Sequence, residues 1–240
     1  MCADPFPELP MSAFPRRTAL TALLVLLPLT ACLPYTVGTS AQTVPANEST
    51  RSASSYFAPS AVKLDDSVAA PMFGVDVEWR HGLDATSDVG IRALPGGATV
   101  SYKHRFGPDT SHAGSARAFA IGGGIVNWGE HALIDVTLMA SGREDGPMTP
   151  YYGVRAMQTI PITKGAVSDQ PTIGVFGGLQ LGNRWFSVRP ELGVFYDHSA
   201  LGVRSNDLLI VPALTLMRGR NRDGEYAESR HSARALPRLP

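Results

Sequence analysis

From about residue 50 to residue 217 the chain alternates apolar and polar residues with a period of two, and no stretch carries a helical i, i+3, i+4, i+7 stripe. Side chains point to opposite faces at successive positions of a strand, so this period specifies half-buried strands and leaves no room for a helical bundle. The clearest case is 185–196. Phe186, Val188, Pro190, Leu192, Val194 and Tyr196 take one face, and Trp185, Ser187, Arg189, Glu191, Gly193 and Phe195 take the other. Val75, Val77 and Trp79 likewise oppose Asp76, Glu78 and Arg80. Ala98, Val100, Tyr102, His104 and Phe106 oppose Thr99, Ser101, Lys103 and Arg105. Ala132 to Ala140 oppose Leu133, Asp135, Thr137 and Met139. Weaker alternation covers 88–94, 117–126, 150–158, 171–181 and 207–217, and 50–58 adds a tenth candidate.

Short connections rich in Gly, Pro, Asn and Asp separate these runs: Leu83 to Ser87, Leu94-Pro95-Gly96-Gly97, Asn127-Trp128-Gly129-Glu130 and Gly182-Asn183-Arg184. They are of hairpin length. Consecutive hairpins make an antiparallel up-and-down meander, expected here to be an all-β domain closed as a barrel of about 8–10 strands. Most candidate strands are near the roughly 9–11 residues that cross a bilayer at a tilt. Two architectures fit one apolar face: a membrane barrel with apolar residues toward lipid, or a soluble calyx with the faces reversed. Regular alternation and aromatics near strand ends (Trp79, Tyr102, Phe106, Tyr152, Tyr196) favour the first. The polar face then becomes the lumen. It carries Arg80, Arg92, Lys103, Arg105, Arg155 and Arg189 against Asp76, Glu78, Asp88, Asp135 and Glu191, a near balance that suits mutually paired charges. Of these, all but Asp88 form the expected core of the lumen charge network.

The 21 basic and 21 acidic residues cancel, which removes the electrostatic case for a nucleic-acid partner. Only 18% of residues are charged, which argues against a disordered chain. Ahead of the strands, Arg16 and Arg17 precede an apolar run from Ala19 to Leu29, the parts of a secretory signal and too short to span a bilayer as a helix. Met11 is a second candidate start. Leu29-Thr30-Ala31-Cys32 resembles a bacterial lipobox. The resemblance implies cleavage before Cys32 and acyl chains on its thiol and amine, an anchor in the outer membrane that needs more than one chain to hold stably. The only other cysteine, Cys2, would leave with residues 1–31, so no internal disulfide is expected. An ordinary signal cleaved after Ala41 is the alternative. Residues 32–49, rich in Pro, Ser, Thr and Ala, read as a flexible tether. The barrel domain is expected over 50–218, and 219–240, with Arg220, Arg222, Arg230, Arg234 and Arg238 and no period, reads as a disordered tail.

Lipobox, repeated hairpins and the stretch from Arg189 to Tyr196 together resemble small bacterial outer-membrane β-barrels of lipoprotein type. The resemblance implies a non-catalytic role in the envelope, with membrane lipid as partner and a surface or envelope ligand at the loops. Such barrels usually end on an aromatic residue, and this chain departs from that.

Catalytic and phosphate-loop motifs are absent from the sequence. Ser60-Ala61-Val62-Lys63 lacks the partner motifs of a serine–lysine enzyme. His198 and Ser199, with Glu191 or Asp207, form the one candidate nucleophilic set and faintly resemble outer-membrane lipid A deacylases. Their spacing does not match, and adjacent strand residues face opposite ways. No cofactor and no metal site is expected.

Overall fold

The computed structural model describes residues 33–65, 68–106, 115–143, 147–163, 171–183, 185–197 and 207–220. Residues 1–32, with the expected signal and Cys32, as well as His198, Ser199 and the residues beyond 220, lie outside these. Ten strands follow one another: β1 (Ser49–Asp65), β2 (Val68–Gly82), β3 (Ser87–Leu94), β4 (Gly97–Phe106), β5 (Ala116–Val126), β6 (His131–Ser141), β7 (Met148–Pro161), β8 (Thr172–Gly182), β9 (Phe186–Asp197) and β10 (Asp207–Arg220). Each pairs antiparallel with the next, and β1 pairs with β10 from Ser49↔Arg220 to Tyr56↔Ala213. Closure joins the first strand to the last. The candidate strand at 50–58 is therefore the closing one, and the last strand extends two residues past the expected boundary at 218.

Register follows the alternation. A one-residue slip would turn the charged face outward, and an Arg or Lys at mid-bilayer costs about 2–4 kcal/mol. The outward face is a continuous apolar surface: Val100, Ile91, Val175, Leu192, Ile210 and Leu214 are among its many exposed residues. All ten lumen residues named from the sequence point inward, and nine of them are buried outright. Asp135 is the half-buried one.

The expected tether at 32–49 is not a tether over its described part. Leu33 to Val44 are all buried and run through the lumen. Leu33 packs in one cluster with Leu94, Val126 and Leu133, beside the turns at 94–97 and 127–130. Ala46 leaves at the opposite end, bridged in parallel to Gly82, beside the first residue of β1. Fourteen extended residues reach about 46 Å, enough to cross a barrel of strands this long. The physical reason is width. Eight strands leave an interior that side chains can just fill, and ten leave more. The chain occupies the surplus with its own backbone.

Candidate functional site

The lumen is built in layers around this segment. At the end of the barrel beside the turns at 94–97 and 127–130 the layer is apolar: Leu33, Tyr35, Tyr56, Met157, Phe195, Leu209 and Val211 pack together. Tyr35 meets Tyr56 and Phe195 edge-on, with centroids 6.3 and 5.4 Å apart. Glycines make room for these rings. A Cβ on Gly74 would lie 2.1 Å from the Tyr56 ring, and one on Gly174 would lie 2.2 Å from Phe195. The Tyr56 hydroxyl thereby reaches the Leu33 carbonyl and donates to it at 2.5 Å.

The middle layer is charged, and its groups read the segment's main chain. Arg155 donates to the carbonyls of Pro34 (2.5 Å) and Thr36 (2.9 Å) while its other edge pairs with Asp135. Arg92 donates to the carbonyls of Thr36 and Val37, both at 2.8 Å, and to Glu78 at 3.2 Å. Asp76 faces Arg92 Nε at 3.9 Å. Glu191 accepts the N–H groups of Val37 (2.8 Å) and Gly38 (3.1 Å), with the hydroxyls of Thr36 and Tyr151 on the same carboxylate. Arg189 donates to the Gly38 carbonyl at 3.0 Å. Gly38 turns here with φ +65, and a Cβ would sit 3.0 Å from both Ser54 Oγ and Thr215 Oγ1, so glycine suits the position twice over.

The third layer lies toward the end where β1 begins and β10 ends. Lys103 donates to Thr39 Oγ1 (3.0 Å) and to the carbonyls of Ser40 (3.2 Å) and Gln42 (2.6 Å). Asp88 accepts the Val44 N–H at 2.8 Å, pairs with Arg80, and lies 3.5 Å from Lys103. Arg80 bridges Asp88 to Glu78, and Arg105 donates to the Gln42 side chain at 2.9 Å. Buried charges are tolerated only when paired and hydrogen-bonded, and most of these meet both conditions, many through the segment; Asp76 faces Arg92 with neither carboxylate oxygen hydrogen-bonded. Small voids remain, of about 50 Å³ beside Thr39, Gln42 and Lys103 and about 40 Å³ beside Val37 and Thr137. Each has room for a few waters.

All ten residues of the expected network are thus brought to the lumen. Glu191 is committed there, with its carboxylate on the segment, and its candidate partners His198 and Ser199 lie outside the described residues. The lumen is polar and occupied, the reverse of a calyx open to an apolar ligand. Two participants escaped the sequence reading. Tyr151 was obscured by its neighbour Tyr152, although alternation with Thr149 and Arg155 places it inward. The other is the segment itself.

Among the strand residues whose side chains are described, the outward charged ones are Arg51, Arg117 and Arg218, each near the end where β1 begins and β10 ends. Trp79, Tyr102, Phe106, Tyr152 and Phe186 are exposed toward the same end.

No family model and no curated protein sequence matches the chain. Solved structures do. Neisserial surface protein A is 12% identical, with a TM-score of 0.38 over 71% of this chain and 96% of that one. An outer membrane channel from Pseudomonas putida F1 is 7% identical, with a TM-score of 0.46 over 75% and 97%. The attachment invasion locus protein of Yersinia pestis is 14% identical, with a TM-score of 0.23 over 72% and 97%.

Proposed function

We propose that this chain is a non-catalytic bacterial outer-membrane β-barrel whose lumen is closed by its own N-terminal segment, with a structural or binding role in the envelope. The observation that carries this reading is the arrangement of its faces. A closed barrel with an unbroken apolar exterior and with paired charges inside is stable where lipid, not water, is the outer solvent. In water the same exterior would be an apolar patch far beyond the few hundred Å² that soluble monomers expose. Segment 33–46 makes the barrel a closed one rather than a diffusion pore.

The lipobox resemblance adds an anchor at Cys32, immediately before the first lumen residue. Acyl chains there would join the barrel wall as a second attachment to the membrane. Ligands of the envelope or cell surface would meet the protein at its loops.

The test is expression of the full chain in a Gram-negative host, followed by gels of outer-membrane fractions with unheated and boiled samples. Closed membrane barrels hold their fold in detergent until heated, so the unheated band is expected to migrate differently. A single heat-independent band, with the protein in the soluble fraction, overturns the reading.

A further inference from the structure

We infer that Arg51 and Arg218 together bind the phosphate of a single glycerophospholipid on the outer wall of the barrel; this rests on the membrane reading above. The two arginines are directly opposite each other across the β1–β10 seam. Arg51 is in turn opposite Trp79 on β2, and Arg218 is opposite Phe186 on β9. All four side chains face outward and are exposed. They form one row across four strands: aromatic, arginine, arginine, aromatic.

Two features make the row a site. First, like charges placed directly opposite on a sheet destabilise it. Among the described residues neither guanidinium has an ion-pair partner on the protein. An anion between them converts the repulsion into two charge-assisted contacts, and the guanidinium fork matches phosphate oxygens bidentately. Second, the row sits at a boundary. One step toward the strand ends, Ser49 Oγ and His81 Nδ1 are in contact at 2.9 Å in an exposed polar row. One step the other way, Val77, Ala53, Leu216 and Val188 are opposite one another in the apolar band. That level is where headgroup phosphates lie and where aromatic girdles form. Trp79 and Phe186 would flank the lipid's glycerol region with their rings. Two guanidinium forks can occupy both free oxygens of one phosphodiester, exceeding its single negative charge by one, whereas a second phosphate on the same lipid would find no further fork in the row. Arg117, opposite Phe106 and Ala140, has no second arginine and serves as the contrast.

The test uses the full-length protein in a neutral detergent, titrated with short-chain phosphatidylglycerol and read by native mass spectrometry. Wild type and Arg117→Gln are expected to hold one lipid with equal affinity. Arg51→Gln with Arg218→Gln is expected to lose about tenfold, and either single change most of that, because one phosphate is shared. Arg51→Lys with Arg218→Lys keeps the charge and loses the fork, so a loss there assigns the geometry rather than the charge. Equal affinity in wild type and the double glutamine variant overturns the proposal, as does preferential retention of lipopolysaccharide over phosphatidylglycerol. The heat-dependent gel shift is measured on the same samples. A shift without a lipid effect discards this site and leaves the barrel reading intact.

Discussion

The Glu191 carboxylate accepts the backbone N–H of Val37 at 2.8 Å, joining residues 154 positions apart in the chain through the centre of the barrel. The same carboxylate takes the Gly38 N–H and the Tyr151 hydroxyl, so one side chain from β9 fixes both the segment and β7, two strands along the wall.

Glu191→Ala leaves those donors buried without an acceptor. Each unsatisfied buried group costs roughly 1–3 kcal/mol, so the three together set a loss of about 3 kcal/mol or more. The measurement is the temperature at which the fast-migrating folded band disappears. It should fall clearly in the variant, and planar-bilayer recordings should show openings absent from wild type. An unchanged midpoint would mean that the segment is held elsewhere.

Arg155 ties Asp135 to the segment's carbonyls. Arg155→Ala strands a carboxylate in the lumen, and breaking a buried pair from one side costs about 3–5 kcal/mol. Arg155→Lys should recover little, because an ammonium cannot span two carbonyls and a carboxylate as the planar fork does. Urea titration of detergent-folded protein distinguishes the cases. Near-wild-type stability of the lysine variant would count against the bidentate role.

How much of this was legible in the sequence differs by part. The ten strands were, because a period of two over lengths that cross a bilayer leaves few alternatives. Inward charges were legible for the same reason: Lys103 and Arg105 stand on the face opposite Tyr102 and Phe106. The path of 33–46 was not. Its wall contacts go mostly to main-chain carbonyls and N–H groups, through Arg92, Arg155, Lys103 and Glu191, and main-chain recognition leaves little trace in side-chain composition. A Pro-, Ser-, Thr- and Ala-rich stretch is what a loose tether needs and also what a narrow lumen admits. Tyr35 and Gly38 are the residues whose identity the lumen does select, one for its ring cluster and one for its turn.

Packing of the Tyr56 ring over Gly74 supplies a third expectation. Gly74→Ala places a methyl group where the ring lies and forces it off the Leu33 carbonyl. Overpacking of this kind costs about 1–3 kcal/mol. Gly177→Ala, whose Cβ would have 4.0 Å to its nearest neighbour, should be close to neutral. Equal thermal stability of the two variants would contradict the close packing.

Cys32 decides the anchor. Growth with labelled palmitate should mark the wild-type protein and leave Cys32→Ser unmarked, while both still give the heat-dependent shift, since the barrel wall alone spans the membrane. Loss of the shift in Cys32→Ser would make the lipid part of assembly rather than a second attachment. An unlabelled wild type would remove the anchor.

Leu214 to Met217 on β10 test the lipid-facing wall directly, because exposure alternates residue by residue: Leu214 and Leu216 outward, Thr215 and Met217 buried. Spin labels placed singly at these four positions, in a Cys32→Ser background and in lipid bilayers, report collision with dissolved oxygen, which concentrates in lipid. High oxygen accessibility is expected at 214 and 216, and low accessibility at 215 and 217. Equal accessibility at all four, or high accessibility to a water-soluble reagent at 214 and 216, would contradict a barrel that faces lipid with its apolar wall and encloses its own N-terminal segment.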